Sequence, residues 1–173
     1  MLCVIAKLDR QATEKLRRLQ AAAHKGRQDF PPLYGHITVA SWIGEDEEGF
    51  VRTCGPLLRS VKPFTVFYRS IEVLTETSVI AAVPEKTGSL LRLHDRIEER
   101  FGASLNGWTA GNSWVPHTTL LFDPNADLTA VRDRMREVFV PFRTGIRRIE
   151  FSRVLKDGYQ IVESTELIND SCG

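Results

Sequence analysis

At 173 residues, 42% hydrophobic and 26% charged, the chain has the length and composition of a soluble protein with one well-filled core. A formal net charge of +1 argues against a protein that coats long nucleic acid and is compatible with a small phosphate-bearing substrate or the end of an RNA. No apolar run approaches a membrane span, and Met1-Leu2-Cys3-Val4-Ile5-Ala6-Lys7 is too short and interrupted for a signal peptide, so a cytoplasmic protein without a membrane partner is expected.

Leu2 to Leu8 is predicted as a first strand. Asp9 is placed to cap a helix through about His24, with Leu16, Leu19 and Ala23 on one face and Lys25-Gly26 as its stop. The loop Phe30-Pro31-Pro32-Leu33-Tyr34 then leads into a strand at Gly35-His36-Ile37-Thr38-Val39. The acidic run Glu45 to Glu48 suits a helix N-terminus, where negative charge opposes the positive end of the macrodipole. Phe50, Cys54, Leu57, Leu58 and Val61 keep helical spacing, and Gly55-Pro56 is expected to kink or divide that helix. Phe64 to Leu74 and Ser78 to Val83 read as a strand pair joined by a short turn.

The second half replays this plan. Thr87 or Ser89 caps a helix whose stripe is Leu90, Leu93, Ile97 and Phe101, closed by Gly102. A Gly-rich loop, Ala103 to Trp114, leads into a strand at Pro116-His117-Thr118-Thr119-Leu120. Asp123 to Asp127 forms a turn and cap for a helix lined by Leu128, Val131, Met135, Val138 and Phe139, ending before Pro141. Ile146 to Leu155 and Tyr159 to Val162 make a hairpin across Lys156-Asp157-Gly158. Ile71-Glu72 follows His36 by 35 residues, and Ile149-Glu150 follows His117 by 32, so the halves also align by spacing. A repeat of this kind reads as two pseudo-symmetric lobes without a linker, a single domain over residues 1–173.

Each half carries one His-x-Thr on a strand, His36 with Thr38 and His117 with Thr119, the histidines 81 residues apart. Alternation sends His and Thr to one face and the intervening residue to the other. One such pair is ordinarily structural; two in one chain point to a shared site. The pair resembles the signature of the two-histidine (2H) phosphoesterase superfamily, which includes the 2′-5′ RNA ligase-like proteins and cyclic phosphodiesterases. The tail His117-Thr118-Thr119-Leu120-Leu121-Phe122 fits the family pattern, whereas Val39-Ala40-Ser41-Trp42 departs from its Leu-x-Phe-like form. The resemblance covers nearly the whole chain. It implies an α+β fold, bilobal, with antiparallel strands, outer helices and a central cleft that sets the two His-x-Thr strands side by side.

Paired histidines suit in-line displacement at phosphorus, because one neutral imidazole takes a proton from water while the other, protonated, gives one to the leaving oxygen. Thr38 and Thr119 can donate to the non-bridging oxygens through the transition state. No cofactor or metal is required, and two histidines lack the nearby Cys, Asp or Glu ligands of a closed metal site. Cys3, Cys54 and Cys172, without metal-ligand spacing, read as reduced thiols. The resemblance implies the same catalytic roles and adds a substrate class: 2′,3′-cyclic phosphates, 2′-5′ linkages or other nucleotide phosphodiesters. The leading expectation is a metal-independent phosphodiesterase acting on a cyclic nucleotide or RNA terminus; the alternative is a nucleotide- or RNA-end-binding module without turnover. Ligation could only be that chemistry reversed, since no nucleotidyl-transfer lysine motif is identified.

Trp108 and Trp114 lie in the loop before His117, and Phe30 and Tyr34 in the loop before His36. A tryptophan so placed either covers a lobe edge or stacks on a base. Tyr34, Trp108 and Trp114 are therefore the substrate-binding candidates. His24 is read as structural at a helix end, His94 as a residue on the core rim, and Arg143, Arg147, Arg148, Arg153 and Lys156 as mostly solvated.

Overall fold

The computed structural model describes residues 1–24, 30, 32–155 and 158–169. The expected stop at Lys25-Gly26, Pro31 of the first loop, the turn residues Lys156-Asp157 and Cys172 lie outside the described residues. Strand β1 (Leu2–Leu8) is followed by α1 (Arg10–Ala23), β2 (His36–Trp42), α2 (Glu47–Arg59), β3 (Phe64–Val73) and β4 (Val79–Pro84). The second run is α3 (Gly88–Phe101), β5 (Thr118–Phe122), α4 (Leu128–Val138), β6 (Phe142–Leu155) and β7 (Gly158–Glu166). After β1, the order helix, strand, helix, strand, strand occurs twice, as the repeat predicts. No described helix is long and apolar enough to cross a membrane.

Side chains cap the start of all four helices. Asp9 accepts from the Ala12 N–H at 2.7 Å, Asp46 from Gly49 at 2.7 Å, Thr87 from Leu90 at 3.4 Å and Asp127 from Ala130 at 3.0 Å. Three details depart from expectation. Helix α2 runs undivided through Pro56. Pro56 and Arg52 are exposed, so the ring meets solvent and the Arg52 carbonyl, robbed of its helical donor, is open to water. Gly102 ends α3 in right-handed geometry (φ −50°, ψ −40°), because the chain continues into a 3₁₀ turn at Gly102–Ser104. In α4, Val131 and Met135 are buried and Leu128 and Phe139 pack on the core as expected, but Val138 points to solvent.

All seven strands join one antiparallel sheet in the order β2-β1-β6-β3-β4-β5, with β7 added on β6. Strand β6 is the spine: Ile146–Arg153 pair with β1, and Phe142–Ile146 with β3. The two histidine-bearing strands stand at opposite ends of this path. At about 4.8 Å per strand, a flat sheet would hold them about 24 Å apart. Yet Thr118 Oγ1 donates to the His36 carbonyl at 2.7 Å, and the Trp114 indole N–H donates to the Thr38 carbonyl at 3.0 Å. The sheet is bent until its ends meet.

Packing interlocks the halves. Helix α1 lies against α4 and β5, while α3 lies against α2 and β2, so each half lends its first helix to the other's histidine strand. Leu16 of α1, Ile37, Leu58, Ile71, Ile80 and Leu90 are fully buried between these layers. Beneath the meeting point, the Thr118 hydroxyl spends its proton on the His36 carbonyl and accepts from the fully buried Tyr68 hydroxyl at 2.6 Å. Thr118→Val keeps the shape but strands both partners, so it is expected to cost about 1–3 kcal/mol in urea unfolding; a loss no greater than that of Thr119→Val would show the chain of hydroxyls to be unimportant.

Candidate active site

The register of β2 explains which side chains meet. Lys7 pairs with His36, Ile5 with Thr38 and Cys3 with Ser41, while Val39 is an extra residue between them. Directly opposed residues share a face, so His36, Thr38 and Ser41 lie on one side and the buried Ile37 and Val39 on the other. Strand β5 repeats the device. Thr119 pairs with Ala81 and Phe122 with Val79, with Leu120 extra, so Thr119 and Phe122 share a face while Thr118 is buried. In both strands a bulge after the His-x-Thr turns the fifth residue beyond the histidine onto the histidine's face.

His117 sits just before β5, and its Nδ1 lies 2.7 Å from the Val115 carbonyl. A carbonyl only accepts, so Nδ1 carries the proton and Nε2 is the atom left for chemistry. The His36 Nδ1 is buried without a hydrogen-bond partner among the described residues. Burial pushes the His36 imidazole down to about 4, and the charges of Lys7 and His117 press it the same way. Burial also lowers His117, against the opposing effect of its bond to Val115.

A groove of about 890 Å³ is lined by Thr38 and His117, whereas His36 and Thr119 are not among its lining residues. Thr38, Ser41, Trp108, Trp114 and His117 line its inner part, and Leu74, Thr77, Val79 and Phe122 line the arm beside the β3–β4 turn. Thr119 is exposed on the His117 side of β5.

The aromatic candidates separate sharply. Trp108 is 65% exposed and lines the groove. Trp114 is buried, stacked on His94 at 4.0 Å, with its N–H spent on Thr38. Its contacts hold the loop against β2. Tyr34 lies 6.0 Å from the His36 ring and donates its hydroxyl to Glu150 Oε2 at 2.7 Å. Burial, then Glu150, push its hydroxyl up to about 12. Around it stand residues that sequence reasoning passed over. Lys7 donates to the carbonyls of Tyr34 and Gly35, its ammonium 3.6 Å from the Tyr34 ring, and burial brings it down to about 8. Tyr159 of β7 meets His36 edge-on at 5.1 Å. The available signal for Lys7 was a lone charge inside an apolar strand, and for Glu150 a single acid in an Arg-rich one.

His94 is buried deeper than a rim position. Its Nε2 faces the Thr109 carbonyl at 3.0 Å, while Nδ1 lies 3.4 Å from Asp95 and 3.8 Å from Glu98. Glu98 in turn accepts the Gly111 N–H. His94, Asp95 and Glu98 have ligating atoms within 4.8 Å of one another, but His94 and Glu98 are spent on anchoring the 103–114 loop, and the group includes neither His36 nor His117.

A family model described as the 2′-5′ RNA ligase superfamily matches residues 8–158. The chain belongs to the 2′-5′ RNA ligase superfamily. Among solved structures, TT0787 of Thermus thermophilus is similar at a TM-score of 0.68 and 20% identity, covering 96% of this chain and 97% of that one. LigT of E. coli complexed with 3′-AMP gives 0.65 and 14%, with 97% of each chain covered. A structure described as a phosphoesterase gives 0.63 and 16%, covering 97% and 98%. At these identities the likeness speaks for the superfamily's α+β fold. No curated protein matches this chain by sequence.

The depressed His36 has a consequence for stability. Between pH 6.5, its ordinary value, and about 4, the unfolded chain takes up a proton that the folded chain does not. Stability present above that window is therefore lost as pH falls through it. Urea midpoints should drop from pH 6.5 to 4 in the wild type and drop less in His36→Gln; equal slopes would mean His36 is not the group responsible.

Proposed function

We propose that the protein is a metal-independent phosphodiesterase that opens 2′,3′-cyclic nucleotide phosphates or an RNA-terminal phosphodiester. The observation that carries this reading is the meeting of two His-x-Thr strands from opposite ends of the sheet beside one groove. We read residues 1–173 as one two-lobed unit, since each half's helix packs on the other's histidine strand. The solved structures of LigT with 3′-AMP, ATP and NADP+ support a nucleotide phosphate as the ligand.

In this reading His36 is the base and His117 the acid. His36 is the more strongly held neutral, as a base must be, while the Val115 carbonyl favours a protonated His117. Water attacks phosphorus and gives its proton to His36. The P–O bond on the far side breaks, and His117 Nε2–H protonates the departing oxygen, leaving a phosphomonoester. Hydroxyls of Thr38 and Thr119 donate to the non-bridging oxygens, where charge must be held. Acid, base and donors are all side chains of this protein. Trp108 is the candidate platform for the base, and Tyr34 with Glu150 and Lys7 orders the wall behind His36. A second reading, a binding module without turnover, draws on the lowering of both histidines, which disfavours the acid form.

Purified protein should hydrolyse 2′,3′-cyclic nucleotides at a rate unchanged by chelator; binding without turnover would favour the second reading. His36→Ala and His117→Ala should each lose about 10²–10⁴-fold in kcat, and the double variant little more, because the two act as a unit. The kcat/KM profile should be bell-shaped and centred below pH 6.5, since both free-enzyme values lie under it. An optimum at alkaline pH would contradict the acid–base assignment. Trp108→Ala should raise KM by the factor that about 1–3 kcal/mol of lost stacking implies.

A further inference from the structure

The two halves of the site are not chemically equal, and the inequality lies at the fifth residue after each histidine. The bulges aim both positions at the histidines' face, but one holds Ser41 and the other Phe122. Ser41 is buried: its N–H is given to Thr109 Oγ1, its carbonyl receives Asn106 N–H, and its hydroxyl meets Cys3 Sγ. The 103–114 loop packs over Ser41, which forms part of the groove's inner wall. Phe122 stays 70% exposed on the groove, although its strand neighbours Leu120 and Leu121 are buried. A ring that the backbone turns away from the core, toward the groove that His117 lines, has the geometry of a stacking surface.

The charge of this arm limits what can occupy it. Among the described residues lining the groove there is no Lys or Arg, while Glu72 and Glu76 stand at its outer end. Arg136 pairs with Glu72 at 2.7 Å, but Glu76 makes no ion pair among the described residues. A phosphate passing this rim meets the Glu76 carboxylate, while Arg136 is committed to Glu72 and the ammonium group among the described lining residues is that of Met1.

We propose that the arm ending at Phe122 is a subsite for the uncharged body of the substrate, a single nucleoside whose only phosphate lies at the histidines. This rests on the phosphodiesterase reading and narrows it: a cyclic mononucleotide fits the groove, and an oligonucleotide, whose next phosphate must cross the Glu76 rim, does not.

The probes are adenosine 2′,3′-cyclic phosphate and the adenylyl dinucleotide ending in the same cyclic phosphate. The dinucleotide should show a kcat/KM about threefold lower at low salt, the gap closing in Glu76→Gln and at high ionic strength. Phe122→Ala should raise the mononucleotide KM roughly tenfold with kcat within about twofold, since stacking serves binding and not bond-breaking. Its urea midpoint should not move, because the ring is exposed. A dinucleotide preferred over the mononucleotide, or an unchanged KM in Phe122→Ala, overturns the proposal. If neither probe is turned over, the phosphodiesterase reading fails by itself. Equilibrium binding of 3′-AMP against the 3′-phosphorylated dinucleotide, with the same two variants, then decides the subsite by the same criteria.

Discussion

The site depends on closure of the sheet. Hydrogen bonding along strands places β2 and β5 at the far ends of the path, and a flat sheet would hold the two histidines far apart. Two bonds at the seam hold the ends together: Thr118 to the His36 carbonyl, and Trp114 to the Thr38 carbonyl. Both land on the backbone of the first His-x-Thr, so the seam fixes β2 directly. The donor in one case is the residue between His117 and Thr119. The second motif therefore presents His117 to the groove, leaves Thr119 exposed on the same side, and uses Thr118 to grip the first motif.

Behind the seam, the loop 103–114 is held from three sides. His94 supports it through the Thr109 carbonyl and by stacking on Trp114, Glu98 takes the Gly111 N–H, and Ser41 and Thr109 join it to β2. This anchoring leaves Trp108 as the loop's exposed ring. A tryptophan that is buried and hydrogen-bonded and one that is open to solvent can thus sit six residues apart in one loop with different work to do. On the His36 side, Tyr34, Glu150 and Lys7 form a connected polar cluster in a half-buried setting, which keeps the strand's charged residues satisfied and the imidazole neutral.

The repeat supplies two equivalent strands, and small substitutions within it make them unequal. Both carry the bulge, so both present the histidine, the threonine and the fifth residue to one side. Ser41 can be covered by a loop because it is small and hydrogen-bonds. Phe122 cannot be covered in the same manner without filling the groove. Equivalent positions of the repeat thereby end as a covered serine and an exposed phenylalanine.

Much of this was legible in the chain by itself. Asp9, Thr87 and Asp127 cap helices because a short acceptor before an amphipathic run has one local use, and no distant contact is needed to satisfy it. The doubled His-x-Thr and its spacing identified the catalytic candidates, since alternation along a strand is also a local property. Local rules failed where a neighbour from elsewhere decided the outcome. Pro56 passes through α2 because that face meets solvent. Trp114 and Trp108 are indistinguishable in the loop until His94 and Thr38 claim one of them. Lys7 and Glu150 acquire meaning only from the register of β1 with β2 and β6. Phe122 reaches the groove through one extra residue in a ladder, a slip that reverses every side chain beyond it and leaves no mark on the apolar pattern. Periodicity and capping belong to the chain because they involve near neighbours; the closure of the sheet, and with it the site, belongs to the tertiary structure because its partners lie far apart in sequence.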